Sequence, residues 1–515
     1  MVEFLRCSPS FSFFDLIERL LPLERSRQAG PLHRLCTLLR RMGARTLILE
    51  DARLAPDVVT ELSLLSDAFG LDRRSKAYKL SFFSCEASEH NLSQTPQEEF
   101  LGQFTLIQYK PKRRRLPVCY IVEAIIRPPK FAVEEFGVSN ERLNNFISLE
   151  KAFRRKVLNT EFSLSGVYFC QQNGLTSGCG HAALRMWLNS IGYAEDTITT
   201  DWLMRVGGIA PGISFTLEQL TEAVEKRGWK PLVMNCKNIH ASVYLRSMHS
   251  ILASGYPALI IFRTASGDEH VVTAFGYTHN PDEWRSEGVN AYLRSAPIVP
   301  YYPSTQWVDH FLVHDDNVGP YYTIDTSTLM DLKVSTVIGL TPPDVRSYPA
   351  MVEMAAAEAL KSILGQVPDS VWGRRLQRYP LILRTTLRSR EEYRSHLKNL
   401  VGYDTSRLTP DELTWVDTLP EKFWMTEFTF SPLFTGNRSK LGEVITSVEE
   451  FDSVPDQVLS LRLPGAVYLT RGSGMPLDIR VLQLASHAPM LLAADVSARN
   501  STPSLVPGNL QAAQS

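Results

Sequence analysis

The hydrophobic positions in the middle of the chain change their spacing along the sequence. Between residues 179 and 255, apolar side chains mostly recur every three to four positions, which predicts helices with one short strand among them. From residue 256 onwards, short apolar segments such as "YPALIIFR", "HVVTAFGY" and "YYTID" follow one another closely and predict strands. Helices that precede a run of antiparallel strands indicate an α+β fold rather than a doubly wound one.

The two flanking regions carry mixed patterns of their own. Residues 1–155 contain two helical segments that end at glycine, the strand "ARTLILED" between them and three strand-like runs after them. Residues 343–496 contain one strong helix, "AMVEMAAAEALKSILG", followed by further strand-like runs. From Ser497 the composition turns to Ser, Pro, Asn, Gln and Ala, which predicts a disordered tail over 497–515. We therefore expect a central domain at 156–342 between two mixed α/β regions.

The composition is that of an ordinary soluble protein, because 44% of the 515 residues are hydrophobic, 21% are charged and the formal net charge is −1. Such a balance provides no overall attraction to nucleic acid or to an anionic membrane. The basic run "KPKRRR" at 110–115 offers a nucleic-acid patch, but its place between two strand-like segments favours a solvated hairpin turn. No apolar run approaches the roughly 18 residues of a spanning helix. We expect neither a nucleic-acid partner nor a membrane.

The cysteines indicate a reducing environment. There are seven, at irregular spacings, and no CxxC pair occurs among them. That pattern favours neither a zinc ribbon nor a disulfide framework, so we expect a cytoplasmic protein. His181 stands two residues from Cys179, but no second Cys/His pair has ligand spacing. We therefore expect no metal and no cofactor.

The stretch "QQNGLTSGCGHAALRMWLNSIG", residues 171–192, is a polar, glycine-rich loop that leads into a helix. It places Cys179 in the first turn, where unpaired backbone N–H groups and the helix dipole stabilise a thiolate. The same N–H groups can stabilise the oxyanion that forms when a thiolate attacks a carbonyl carbon. Glycines on both sides leave room for a substrate, and Gln171 or Gln172 is a candidate second oxyanion donor. The alternative is a small buried core cysteine.

A thiolate nucleophile needs a base, and His270 is the best candidate. It opens the strand "HVVTAFGY" directly after the tight turn "ASGDE". A later apolar strand ends in Asp315 and Asp316, either of which can fix the tautomer of the imidazole. His314 should point to the opposite face of that strand and is interpreted as structural. The alternatives are an ordinary hydrogen-bonded strand histidine and aspartates that only cap a turn.

The ordered set of these features resembles a known family. A glutamine, a Cys–Gly pair that opens a helix, "SGYPALI…HVV…GY" and an acidic residue on the next strand resemble the papain-like cysteine peptidases. The resemblance is to the type that processes bacteriocin leaders at a double glycine and to its uncharacterised relatives, and it covers residues 168–326. It implies one role for each candidate: nucleophile Cys179, general base and then acid His270, orienting carboxylate Asp315 or Asp316, and oxyanion donor Gln172 or Gln171.

Three departures from the family pattern stand out. The spacing from glutamine to cysteine is a residue or two longer than expected, which leaves both glutamines open. His181 follows the Cys–Gly pair where that type of peptidase usually has a small residue or proline. An insertion at 278–310, between the histidine and the aspartates, is a candidate lid or substrate-binding loop.

These features predict a thiol-dependent hydrolase that cleaves peptide or isopeptide bonds in a protein or peptide through a Cys-His-Asp triad and an acyl-enzyme. An acyltransferase that uses the same residues is one alternative, because a fold does not set the acceptor. The other is a catalytically inactive papain-like module in a scaffold protein. In either case the large flanking regions are candidates for binding a protein partner.

Overall fold

The chain combines helices with mainly antiparallel sheets, and the architecture is α+β, as the hydrophobic spacing predicts. The computed structural model describes residues 2–20, 29–70, 74–112, 117–129, 144–147, 151–191, 197–279, 301–364, 381–398, 409–430, 433–434, 439–450, 457–471, 478–484, 490–491 and 493. The tail at 497–515 and Arg113–Arg115 of the basic run lie outside these ranges. None of the helices within them combines the length and the hydropathy that crossing a membrane requires.

The elements follow the predicted order closely. The helices are α1 (Phe13–Leu20), α2 (Gly30–Arg41), α3 (Pro56–Phe69), α4 (Cys179–Ser190), α5 (Thr200–Gly207), α6 (Leu217–Glu225), α7 (Ala241–Ala253), α8 (Thr326–Asp331), α9 (Pro349–Leu364), α10 (Arg390–Lys398) and α11 (Pro410–Thr418). The strands are β1 (Val2–Arg6), β2 (Thr46–Asp51), β3 (Lys76–Phe83), β4 (Phe100–Tyr109), β5 (Val118–Ile126), β6 (Asn144–Ile147), β7 (Lys151–Val157), β8 (Thr160–Gly166), β9 (Lys230–Asn235), β10 (Ala258–Arg263), β11 (Glu269–His279), β12 (Tyr301–Pro303), β13 (Val308–Asp315), β14 (Gly319–Asp325), β15 (Lys333–Thr341), β16 (Leu381–Ser389), β17 (Lys422–Phe430), β18 (Ser439–Lys440), β19 (Gly442–Thr446), β20 (Val458–Leu463), β21 (Ala466–Arg471), β22 (Asp478–Gln483) and β23 (Met490–Leu491).

The first sheet is formed by β1–β5, which lie side by side in chain order and pair antiparallel. The two helices predicted in this region are α2 and α3. Leu35 and Leu39 of α2 pack with Ile48 and Phe82 of the sheet, and all four are fully buried. β4 and β5, which flank the basic run in the sequence, pair antiparallel with each other.

The second sheet positions the candidate site. Its strands lie in the order β14–β13–β11–β10–β15–β9, and each neighbouring pair is antiparallel. Helix α4 packs against β11, where the hydroxyl of Thr273 donates to the carbonyl oxygen of Ala183 at 3.1 Å. This contact brings the first turn of α4, with Cys179, alongside the first residues of β11, with His270.

Three strands cross the limits predicted for the domains. β6 precedes residue 156 but pairs with β11, and β7 spans the limit itself. β12 comes from the predicted insertion at 278–310 and pairs in parallel with β16 of the C-terminal sheet. Residues 280–300 of the insertion, proposed above as a lid, lie outside the described ranges. The division into three folded regions therefore stays a prediction.

The third sheet runs β12–β16–β17–β19–β20–β21–β22. Successive residues of β17 point to opposite faces, so Phe428 packs with Leu360 of α9 while Phe423 packs with Leu397 of α10 and Val416 of α11. Helices thus cover the sheet on both sides, and its middle strands are closed to solvent.

The face beneath α10 and α11 carries a row of charged residues. Arg384, Glu427, Glu443 and Arg462 lie in register on β16, β17, β19 and β20, and with Lys440 we call them the buried charge ladder. The two neighbouring glutamates would repel each other, but Lys440 Nζ lies 2.7 Å from an oxygen of Glu427 and 3.0 Å from one of Glu443. Arg384 Nη1 lies 2.6 Å from the other oxygen of Glu427. No member is more than 7% exposed.

Candidate active site

Cys179 is the first residue of α4, as the loop-to-helix pattern predicts, and its side chain is partly exposed. Gly178 before it is the N-cap residue and has extended backbone. A Cβ atom added to Gly178 would come no closer than 3.6 Å to another residue, and one added to Gly180 no closer than 3.8 Å. The surrounding residues therefore do not force glycine at these positions, and the two glycines leave the face beside the thiol open.

The histidine at 181 has a local role. The backbone N–H of Gly178 donates to its Nδ1 atom at 3.3 Å, which caps one free donor at the helix N-terminus. The ring packs on Phe215 with 4.5 Å between ring centres. Burial, and to a smaller extent the charge of Arg185, lowers the pKa of His181 to about 4. His181 is thus neutral at pH 7 and positions the first turn of the helix that carries Cys179.

His270 is the second residue of β11 and its side chain is buried. Its Nε2 atom lies 3.2 Å from Oδ2 of Asp315 and 3.8 Å from Oδ1 of Asp316, although neither contact has the direction of a good hydrogen bond. Burial alone would lower the pKa of His270. The close approach of Asp315 and Cys179, and the charges of both aspartates, outweigh burial and raise the pKa to about 10. The ring is therefore a cation at neutral pH, next to the thiol.

The two aspartates stand in different environments. Oδ1 of Asp315 accepts hydrogen bonds from the backbone N–H groups of Asn317 and Val318 at 2.8 and 3.2 Å, which leaves Oδ2 directed at His270. Asp316 is only 1% exposed, and neither of its oxygens has a hydrogen-bond partner of good geometry among the described residues. Burial raises the pKa of Asp316 to about 7, against the opposing charge of His270. Asp315 is the closer and better oriented of the two candidates.

His314 faces away from this group, as the strand alternation predicts. Its ring is fully buried against Phe275 and Tyr321, and its Nδ1 atom accepts the backbone N–H of Tyr321 at 3.0 Å. Burial lowers the pKa of His314 to about 3. These contacts fit the structural role that the sequence suggests.

The two glutamines have separate partners. Gln171 is buried, and its Oε1 atom accepts the backbone N–H of Ile121 in β5 at 3.2 Å. Gln172 is partly exposed, and its Oε1 atom would lie 3.9 Å from a Cβ placed on Gly178. Its Nε2 atom donates to Oδ1 of Asn317 at 3.1 Å. Gln172 therefore borders the N-terminus of α4, whereas Gln171 anchors the loop to the first sheet.

Asn317 is a site residue to which the sequence assigned no role. Its side-chain amide bonds Gln172 through Oδ1 and lies, through Nδ2, 3.5 Å from Nδ1 of His270. It thus connects the candidate oxyanion donor to the candidate base. Its place directly after the aspartate pair is the only signal that could have indicated it.

The N-terminal region supports the loop that precedes Cys179. Oδ1 of Asn173 accepts the backbone N–H groups of the next residues, at positions 175, 176 and 177. Its Nδ2 atom donates to Glu61 of α3 at 3.2 Å, and Glu61 also accepts the hydroxyl of Tyr120 at 2.8 Å. All three side chains are buried. Sequence reasoning missed Glu61 because nothing local links α3 to a loop more than 100 residues later.

One group of side chains among the described residues has the spacing of metal ligands. Potential ligand atoms of His270, Asp315 and Asp316 all lie within 4.8 Å of one another. His181 and Cys179, which stand two residues apart in the sequence, are not part of this group. The group comprises the candidate catalytic imidazole and the two carboxylates that are candidates to orient it.

Comparisons with known proteins leave the family open. No family model matches the chain, and no curated protein matches it. One similar solved structure is the peptidase domain of Streptococcus ComA, described as a bi-functional ABC transporter involved in a quorum-sensing pathway. The two chains are 11% identical, the match covers 33% of this chain and 99% of the other, and the TM-score is 0.20. Similarity at this level assigns neither a family nor an activity to the chain.

Proposed function

We propose that this protein is a papain-like cysteine hydrolase that cleaves amide bonds in protein or peptide substrates. The observation that carries the proposal is the packing of α4, which starts at Cys179, against β11, which carries His270, together with the 3.2 Å between Nε2 of His270 and Oδ2 of Asp315. A helix N-terminus beside an imidazole is the environment in which catalytic thiols are found, and the thiolate is their reactive form.

The reaction begins with attack of the Cys179 thiolate on the carbonyl carbon of the scissile amide. The tetrahedral oxyanion is stabilised by the backbone N–H of Cys179 and by the side-chain amide of Gln172. Collapse of this intermediate breaks the C–N bond, and the imidazolium of His270 gives its proton to the leaving amine. A thioester remains on Cys179.

Hydrolysis of the thioester uses the same residues in reverse. Neutral His270 takes a proton from water, and the hydroxide formed attacks the thioester carbonyl. The carboxylic acid product leaves, and the thiolate and the imidazolium are restored. Asp315 orients the ring and stabilises its charge throughout, so it is a positioning residue.

Three features of the fold support this assignment of roles. The glycines beside Cys179 leave space for a substrate backbone. Gln172, rather than Gln171, lies beside the N-terminus of α4. The proposed peptidase domain comprises residues 156–342, and Glu61 and Tyr120 of the region before it hold the loop that carries Gln172.

The test is product formation from a mixed library of peptides and isopeptide-linked peptides, followed by mass spectrometry. Wild-type protein should release new N-termini, and Cys179→Ala should release none. Cys85→Ala is the matched control, because Cys85 is also a partly exposed free cysteine but lies in the first region. Equal product from wild type and Cys179→Ala, or no product from wild type, contradicts the proposal.

A further inference from the structure

The space between His270 and the two aspartates has the dimensions of a metal site. Nε2 of His270 lies 3.2 Å from an oxygen of Asp315 and 3.8 Å from one of Asp316. Zinc–nitrogen and zinc–oxygen bonds are about 2.0–2.2 Å long, so two ligands of a tetrahedral zinc ion are about 3.4 Å apart. The two distances from His270 are therefore close to that value, and all three ligand atoms lie within 4.8 Å of one another.

Asp316 gives independent support for a bound cation. Its carboxylate is 1% exposed and its Oδ1 atom lies 3.8 Å from Nε2 of His270. The backbone N–H groups of Asp316 and Gln172 act on it, but neither of its oxygens has a hydrogen-bond partner of good geometry among the described residues. A buried carboxylate without such partners is costly, and a coordinated cation compensates for that cost. Asp315 alone already accounts for the orientation of the catalytic imidazole, so the catalytic cycle assigns no step to Asp316.

We propose that Nε2 of His270 and one oxygen each of Asp315 and Asp316 bind a divalent transition-metal ion, zinc above all, and that this ion blocks hydrolysis. One imidazole and two carboxylates are ligands that zinc accepts, and three protein ligands leave a position for water. Magnesium prefers an octahedron of oxygens with several retained waters, which an imidazole nitrogen suits poorly. The binding is independent of the proposed function, whereas the block rests on it.

The block follows from counting the protons on the ring. During hydrolysis the imidazolium carries one proton on each nitrogen and gives one to the leaving amine. A metal ion on Nε2 displaces the proton there, and a single proton remains on Nδ1. Release of that last proton would leave an imidazolate, so the metal-bound ring is a far weaker acid than the imidazolium. The metal-bound ring therefore cannot protonate the amine, and the thiolate is expelled from the tetrahedral intermediate instead.

Zinc binding is measured on the full chain, freed of any affinity tag, by equilibrium dialysis with metal counting. Wild type should bind one zinc ion at this site, and Asp315→Asn and Asp316→Asn should each weaken binding at least ~10-fold. Cys179→Ala should bind as wild type does. Asp331→Asn, at an exposed aspartate elsewhere, is the control that should change nothing. Binding that survives both Asn substitutions, or that is lost with Cys179→Ala, overturns the proposed ligand set.

Cobalt(II) provides a second readout on unmutated protein, which does not depend on the folding of a variant. Nitrogen and oxygen ligands should give visible absorption without the near-ultraviolet band that a thiolate ligand adds, and the appearance of that band overturns the assignment. In the hydrolysis assay, zinc that fills the site should stop turnover and a chelator should restore it. Turnover that continues with the site filled refutes the block. If wild type hydrolyses nothing, the dialysis result still decides whether the metal site exists.

Discussion

The buried charge ladder of the C-terminal sheet and the carboxylates beside His270 are both nearly closed to solvent, yet their charges are balanced very differently. In the ladder, Glu427 and Glu443 each have a cation within 3.0 Å, and Lys440 serves both. At the candidate site, two carboxylates share one imidazole, whose Nε2 atom lies 3.2 Å from Asp315 and 3.8 Å from Asp316. A buried network in which each carboxylate has a close cation specifies a fold, whereas two buried carboxylates that share one imidazole lower stability and are expected where chemistry occurs.

The largest expected effect is a loss of stability when a cation of the buried charge ladder is removed. Lys440→Met leaves two facing buried glutamates without their shared cation, so the free energy of unfolding should fall by about 3–5 kcal/mol in urea titrations. The matched control is Lys422→Met, because Lys422 pairs with Asp344 at a partly exposed site and should contribute less than about 1 kcal/mol. Equal effects of the two substitutions would show that the ladder is not a stabilising network.

The second prediction compares the two adjacent glutamines, Gln172 for its effect on activity and Gln171 for its effect on stability. Gln172→Ala removes the proposed oxyanion donor, so kcat/KM should fall roughly 10²–10³-fold with little change in unfolding. Gln171→Ala removes the buried contact with Ile121 and should lower stability while the folded fraction keeps its activity. Stopped-time peptide assays and urea titrations on both variants distinguish these outcomes. A reversed pattern would move the oxyanion role to Gln171.

The third prediction concerns the stability that Glu427 of the ladder contributes and its loss at low pH. Burial alone would raise the pKa of Glu427, but Lys440 and Arg384 outweigh it and lower the pKa from 4.5 to about 2. Because the pKa is lower in the folded protein, this stability is complete above pH 4.5 and is lost as the pH falls toward 2. Between pH 6 and pH 3 the loss should be about 2 kcal/mol. Glu427→Gln should be less stable at pH 6 but should lack this part of the acid loss, and an unchanged pH dependence would contradict the account.

The smallest effect on the free energy of unfolding is expected for Asp316, although a residue of the charge ladder at the same burial would give a large one. Asp316→Asn removes a buried carboxylate that makes no good hydrogen bond, so the free energy of unfolding should rise or stay within about 1 kcal/mol of wild type. Urea titration of the variant measures this directly. A loss as large as that of Lys440→Met would mean that Asp316 is a structural charge after all.

The parts of the site that local pattern defines were predictable from the sequence. Cys179 at a loop-to-helix junction, and Asp315 at the end of an apolar strand, need only the periodicity of their own segments. The choice between Gln171 and Gln172 was not predictable, because it depends on which side chain meets Ile121 of another sheet.

The ladder could not be predicted from the sequence either, because it also depends on contacts between distant segments. Its charges come from four separate strands and meet only when the register of each pair is known. Read singly, a charged residue on a strand indicates the solvent face, which is the opposite of where Glu427 lies. The parallel pairing of β12 with β16 is equally non-local, since it joins the insertion to a sheet formed much later in the chain.

The most direct test of the central claim is the rate at which iodoacetamide alkylates Cys179 between pH 5 and pH 9, followed by peptide mapping. The charged ring of His270 should hold a reactive thiolate, so wild-type Cys179 should react well below the pH near 8.5 at which ordinary free thiols ionise. His270→Ala should move the reaction up to that ordinary range, while Cys85 in the same samples should stay slow at low pH because burial raises its pKa. If Cys179 follows the same pH profile with and without His270, the thiolate–imidazolium pair does not exist and the proposed function fails.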